Sequence, residues 1–301
     1  MKKNKTMLIV FLSPALLMFS LVFLYPILRT IVMSFFNIST VTASISDWTF
    51  VGLKNYTTLL TTNLFIKSMI NIFKIWLLGG AIVMSLSLLF GAILTSGIRY
   101  KKFFRAVIYM PNIVSAVALA TMWLQYVYNN RYGLLSSFFN SIGLEKLAET
   151  PWLGVDNKFA ALLVAYCFGM VGYHMLIWIS GIERIPADFY EAATIDGANK
   201  IKQFTHISCP LLKAVLKTNL TLWTVSTSAF FVWSQLFSSV TPGESTLVPV
   251  QYMYGQIFGS GNAITDRNSG YGAAIGIVLC LTVIIVFTLV NRLIKDDDLE
   301  I

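Results

Sequence analysis

The feature that most limits what this chain can become is a series of six apolar runs, at about residues 7–36, 68–97, 104–128, 159–182, 215–240 and 271–293. Each reaches or exceeds the roughly 20 residues a helix needs to cross a hydrocarbon layer. Of 301 residues, 56% are hydrophobic and 12% charged, where an ordinary soluble domain carries about 25% charged residues. A soluble fold of this size has too little interior to hide so much apolar surface. In lipid the backbone must satisfy its own hydrogen bonds, which a helix does within one segment. The runs therefore predict an all-α polytopic integral membrane protein with six transmembrane helices.

The first run follows Met1-Lys2-Lys3-Asn4-Lys5, the opening of a signal peptide, but it is far longer than a signal peptide's apolar stretch and no small-x-small cleavage site follows. It reads as a span, with Pro14 and Pro26 as kinks or end markers. The net charge of +8 does not signal nucleic acid, because the basic residues sit at the ends of apolar runs and form no single patch. Fourteen Lys and Arg fall on the side of the two tails and the segments 99–105 and 183–217, against six on the other side. The positive-inside rule then expects both termini and the 183–213 loop in the cytoplasm of a multi-pass cell-membrane protein. Three segments follow: 1–67, the N-terminal span and first outer loop; 68–294, the core; and 295–301, an acidic cytoplasmic tail. Outer loops at 37–67, 129–157 and 241–270 lie opposite the basic side. The phrase 50–56 reads as a turn and short helix, and the second outer loop carries a short helix of its own.

No G-x-x-x-x-G-K-[ST] phosphate loop occurs, so any ATP that drives this protein binds another chain. His174 and His206 are isolated, and Cys167, Cys209 and Cys280 show no metal spacing, which points to no metal, no cofactor and no catalysis. No Asp or Glu falls in any of the six runs, which argues against a stand-alone ion-coupled transporter with an intramembrane carboxylate relay.

The longest compact polar stretch between two runs holds Glu183, Arg184, Asp188, Glu191, Asp196, Lys200, Lys202 and Lys213. Pro186 sits where a helix starts, with Asp188 and Glu191 near its positive end. Residues 185–188 read as a helix start and 189–195 as a short amphipathic helix, ended by Asp196-Gly197 with Gly197 suited to a left-handed cap. A second short helix is expected from Ala198 to about Ile207, with Pro210 separating it from the next span. Small residues at Ala192, Ala193, Gly197 and Ala198 permit another protein's surface to approach closely. Residues alone leave two readings open: a docking element, or a solvated connector.

The phrase Glu191-Ala192-Ala193-x-x-Asp196-Gly197-Ala198, followed by Phe204, Ile207 and Pro210, resembles the EAA loop of ABC importer permeases, and more narrowly of those that import carbohydrates with an external binding protein. Further phrases agree along nearly the whole chain: 50–56, Phe103-Phe104-Arg105-Ala106, Tyr132-Gly133-Leu134-Leu135, Pro151-Trp152-Leu153, 175–182 and Tyr271-Gly272-Ala273-Ala274. Ala214 departs from the pattern, where many relatives carry a second proline. The resemblance implies the type I importer permease fold and a sugar or oligosaccharide substrate delivered by an extracytoplasmic binding protein. It also implies a second homologous permease subunit and a dimer of ATP-binding subunits. Helix 187–195 would be the coupling helix, Glu191 its polar anchor and Gly197 its hinge; Asp188, Ala192, Ala193, Asp196, Ala198, Ile207 and Pro210 complete the ATPase-coupling set. The outer loops would meet the binding protein. A permease for another neutral solute, such as a glycerol phosphodiester, is the rival within this class.

For the substrate path, Tyr166, Gly169, Met170 and Tyr173 recur at helical spacing on one face of the fourth run, and two tyrosines give a sugar ring an apolar platform with hydroxyl partners. The same residues would equally serve helix packing. In the fifth run, Ser226, Thr227 and Trp233 are the candidates, with Ser226 and Trp233 seven residues apart and so on one face.

Overall fold

The computed structural model describes residues 5–240, 243–259 and 267–294. The acidic tail, Lys2 and Lys3 of the N-terminal tail, and parts of the third outer loop lie outside the described residues. Among the described residues nearly all regular structure is helical, and the one sheet is a two-stranded ribbon in which β1 (Phe36–Asn37) pairs antiparallel with β2 (Thr49–Phe50). The described residues fall into two compact units, one drawn from within 1–66 and 252–281, the other from within 67–251 and 282–301.

In the first unit, helix α1 (Ile9–Met33) is long and apolar enough to span, and its Phe11, Leu16, Leu21 and Phe23 are exposed. An all-round apolar helix surface of this kind belongs in lipid. The β-ribbon follows, and α2 (Lys54–Thr61) closes on it: the Asn55 side-chain amide donates to the carbonyls of Ser34 and Phe36, at 2.8 and 2.9 Å.

The second unit is built on α3 (Asn63–Thr95), α4 (Lys101–Ile113), α5 (Ala116–Val127) and α8 (Lys158–Ile182), after the short surface helices α6 (Leu134–Ser141) and α7 (Glu145–Ala148). Beyond α8 come α9 (Ala187–Ile195), α10 (Lys200–Gln203), α11 (Lys213–Ser228) and α12 (Phe231–Val240); α13 (Pro249–Phe258) and α14 (Ser269–Leu293) each have residues in both units. Helix α8 is the hub, packing on α3, α4, α5, α11 and α12, with Leu162, Ala165, Met175, Trp178 and Ile179 buried. Membrane helices pack where small residues let backbones approach, and Gly172 is such a point between α8 and α4. A Cβ there would lie 2.7 Å from Tyr109 Cα and hard against the Ile108 carbonyl oxygen of α4.

Polar ties reinforce the hub. His174 donates from Nδ1 to Asn219 Oδ1 across 2.7 Å, joining α8 to α11 in a buried site. A π-turn at Ile75–Gly79 loosens the α3 ladder, and there the Trp76 carbonyl accepts from Trp223 Nε1 at 2.9 Å while Trp76 Nε1 donates to Thr224 at 2.9 Å.

Two expected spans are not single rods. Among the described residues four helices are individually long and apolar enough to cross a membrane: α1, α3, α8 and α14. The expected run 104–128 is instead the pair α4 and α5, bent by 98°. Val114 is extended there, and the Ser115 hydroxyl accepts from the Ala118 N–H at 3.3 Å, starting a new helix. The expected run 215–240 breaks between α11 and α12 at Ala229–Phe230. In the turns before the break, Thr224, Thr227 and Ser228 donate to carbonyls four residues back, at 2.7–2.8 Å, a pattern that bends helices. The segment expected as the third outer loop, 241–270, holds α13.

Candidate functional site

The polar stretch after α8 folds as a compact helical corner. Pro186 stands at the N-cap of α9, whose first turn carries Asp188. At its other end Gly197 adopts φ +76°, while the Ala198 N–H donates to the Ala193 carbonyl at 2.8 Å and the Gly197 N–H to Thr194 at 3.1 Å. These paired bonds form a Schellman cap, which needs a left-handed residue at that position. Asn199 then caps α10, its Oδ1 accepting from the Lys202 N–H at 2.9 Å.

The expected second helix, 198–207, starts and ends later and is differently built. It comprises α10, a π-turn Phe204–Ser208 and one turn Cys209–Leu211, and the break before α11 falls at Leu212 rather than at Pro210. Pro210 lies in the first turn of its short helix, where its missing N–H costs nothing, so it does not act as a separator.

What holds the corner shut is Gln203, which the sequence reading did not single out. It is 5% exposed, and its amide nitrogen reaches Thr194 Oγ1 at 2.9 Å and the carbonyls of Ala198 and Tyr190 at 3.3 and 3.4 Å. Tyr190 and Ser208 share a hydroxyl hydrogen bond of 2.9 Å. Beneath them Ile207, Ile182, Leu211 and Val215 pack on buried Trp178, Ile185 and Leu212, anchoring the corner to the end of α8. Gln203→Ala leaves buried acceptors unsatisfied, at about 1–3 kcal/mol of local stability. Amide hydrogen exchange across 190–198 is expected to rise roughly tenfold, since local opening sets the exchange rate there; unchanged exchange would mean the corner is held by its apolar base alone.

The outer side of the corner carries Asp188, Glu191, Ala192, Asp196 and Gly197, all exposed, with Ala193 and Ala198 half-buried. Phe189, Ile195 and Ile201 expose apolar side chains beside these carboxylates, Ile195 to 87%. Among the described residues Glu191 has no ion pair.

The second set of candidates converges on a cavity of about 340 Å³ between α4, α5, α8, α11 and α12. Tyr166, Met170, Tyr173, Ser226 and Trp233 line it, joined by Asn112 and Phe230. Tyr166 is the organising ring: Phe230 stands edge-on at 4.6 Å, with Trp223 and Trp233 at 5.4 and 5.7 Å. Gly169 and Thr227 stay out of the lining. The Gly169 carbonyl accepts from Asn112 Nδ2 at 3.3 Å, and Thr227 is buried, donating to the Trp223 carbonyl at 2.7 Å. The break at Ala229–Phe230 places Phe230 at the cavity, a contribution no helical periodicity announces, and because it falls between Ser226 and Trp233 these two line the cavity from α11 and α12 rather than from one helix face as expected.

A second cavity, of about 460 Å³, is lined by Tyr109, Tyr173, Ile177, Ser180, Arg184 and Thr218 among others. Tyr173 lines both. Along α8, Tyr166, Met170, Tyr173, Ile177 and Ser180 are three or four residues apart, and Arg184 follows just past its end, so one stripe runs from the aromatic cluster to the polar corner.

Residues 84–296 match the model of the family described as binding-protein-dependent transport system inner membrane component. The chain is 30% identical to the probable ABC transporter permease protein YurN of Bacillus subtilis, over 97% of this chain and 96% of that one. It is 31% identical to the arabinooligosaccharides transport system permease protein AraP of the same organism, over 92% and 84%. Among solved structures, a bacterial ABC transporter involved in the import of the acidic polysaccharide alginate has a chain that superposes with a TM-score of 0.80 at 18% identity, over 97% and 96% of the two chains. The same score, at 20% identity over 97% and 94%, holds for a bacterial alginate ABC transporter in complex with an alginate pentasaccharide-bound periplasmic protein.

Proposed function

This chain belongs to the family of binding-protein-dependent transport system inner membrane components, and from that premise we propose that it is the permease subunit of an importer for a neutral sugar or oligosaccharide. The observation that carries this reading is the α8 stripe. It joins an aromatic cavity, lined by Tyr166, Met170, Tyr173, Ser226, Trp233 and Asn112, to the polar corner. The aromatic cavity offers hydroxyl and amide partners, ring faces and no charged group. That suits a solute with apolar ring faces and a rim of hydroxyls. Relatives named for arabinooligosaccharides and for diacetylchitobiose support the substrate class.

In this reading the chain pairs with a second, similar permease, and two ATP-binding subunits supply the energy. Helix α9 sits in a cleft of one ATP-binding subunit, Phe189, Ile195 and Ile201 giving apolar contact and Glu191 the polar anchor. ATP-driven closure favours one of two arrangements of the spans, which is how a partner's differential affinity biases a two-state element. Both termini and the polar corner face the cytoplasm, in keeping with the distribution of Lys and Arg. The segment 68–294 is the transporting core.

The test is co-reconstitution of the complete complex in liposomes, with sugar-loaded binding protein outside. Sugar-dependent ATP hydrolysis is the expected result. Tyr173→Ala removes a ring shared by both cavities and is expected to lower uptake at limiting sugar by roughly tenfold, with the basal hydrolysis rate kept. Gradient-driven uptake by the chain alone would overturn the reading in favour of a stand-alone secondary transporter.

A further inference from the structure

A smaller cavity, of about 200 Å³, opens at the end of α8 nearest the polar corner. Lys101, Lys102 and Arg105 of α4 line it, with Glu183 beyond α8 and an apolar floor of Leu94 and Ile179. Leu94 and Ile179 are 5% and 2% exposed. Three cations thus face one carboxylate. Arg105 and Glu183 approach only to 3.9 Å, too far for a hydrogen bond, so the Arg105 guanidinium keeps donors free for an anion. Among the described residues neither lysine has an ion pair.

The helices flanking this pocket present exposed apolar stripes: Leu86, Leu89 and Ile93 on α3, and Phe103, Val107 and Met110 on α4. Tyr100 and Phe104 add exposed rings beside the lysines. Cations at the end of lipid-facing apolar stripes, with aromatic rings at the same level, make the arrangement that meets phospholipid headgroups. A soluble anion needs only the cations; the flanking stripes favour a ligand that carries acyl chains.

We propose that this pocket binds the phosphate of an anionic phospholipid. The phosphate lies between Lys101, Lys102 and Arg105, and the acyl chains run along the α3 and α4 stripes. By drawing on Arg105 it competes with Glu183, the residue that closes α8 just before the polar corner. The charge of the surrounding leaflet thereby acts on the element that leads into α9.

The full-length protein in a neutral detergent, offered equal amounts of dioleoyl phosphatidylglycerol and dioleoyl phosphatidylcholine, tests this by native mass spectrometry. The wild type is expected to retain phosphatidylglycerol preferentially. Lys101→Gln with Lys102→Gln should lower that retention roughly thirtyfold, taking each lysine at its usual contribution near an anionic surface. Lys101→Arg with Lys102→Arg should preserve it, and so should Lys2→Gln with Lys3→Gln, which removes the same charge elsewhere. Both lysines are exposed, so folding is not at stake. Equal retention of the two lipids, or undiminished phosphatidylglycerol on the double glutamine variant, would overturn the assignment. Displacement of the lipid by excess inorganic phosphate would do so too, by making the pocket a free-anion site.

Discussion

Gly172→Val is expected to leave little folded protein in the membrane, and Gly172→Ala to lower the melting temperature in detergent by roughly 10 °C. The reason lies in what a side chain there would meet. The added Cβ faces the Ile108 carbonyl and, at 2.7 Å, Tyr109 Cα. Both are backbone atoms of α4, so the helices must separate to make room. Separation also weakens the neighbouring Asn112 bond to the Gly169 carbonyl. Overpacking a close-packed site costs about 1–3 kcal/mol, more when backbone must move. Gly169→Ala, only one turn away, is the control: its Cβ meets the Leu119 Cδ2 end at 2.9 Å, and a flexible side chain can turn aside. Replacing a mid-helix glycine by alanine gains about 1 kcal/mol of helix propensity, which offsets that adjustment. Thermal melts of both variants by intrinsic fluorescence decide the matter; equal losses would mean that α4 and α8 do not depend on backbone contact at Gly172.

Gly197→Asp should have the largest effect on transport with a small effect on stability. Gly197 sits at φ +76° with open space around its Cα, so the cost is conformational rather than steric. An aspartate in the left-handed region costs about 1 kcal/mol, and a carboxylate at a helix C-terminus adds about 0.3–1 kcal/mol. That is small against a whole membrane domain, so the protein should accumulate in the membrane at near-normal levels. It is enough to open the Schellman cap and change the angle between α9 and α10. Sugar uptake by the complete complex is expected to fall by an order of magnitude or more while ATP hydrolysis continues. Gly197→Asn, which tolerates the left-handed region and adds no charge, should keep more uptake than Gly197→Asp. Normal uptake in Gly197→Asp would sink the coupling role proposed for this corner.

Features legible in the sequence are those set by near neighbours. Pro186, Asp196 and Gly197 mark both ends of α9 because capping is decided within one turn. Tyr166, Met170 and Tyr173 fall on one face because helical spacing alone puts them there. Gln203 was not legible, since glutamine in a short polar helix looks like a solvated residue. Its burial comes from the fold of α9 over α10. The breaks at Val114–Ser115 and Ala229–Phe230 were equally hidden. Hydropathy averages over about twenty residues, and the hydroxyls that redirect the backbone there are too few to lower that average.

By itself the sequence determined that the chain lives in lipid, that its regular structure is helical, and where the polar corner begins and turns. These follow from apolar run length, from backbone satisfaction in hydrocarbon and from local capping chemistry. Only the tertiary structure decided which glycine is a backbone contact and which meets a movable side chain. It alone brought Phe230 and Trp233 to Tyr166, and gathered Lys101, Lys102 and Arg105 beside Glu183. Those outcomes depend on how far one helix is rotated against another. Long-range packing and buried bonds such as His174 to Asn219 set that rotation, and no periodicity within a single helix encodes it.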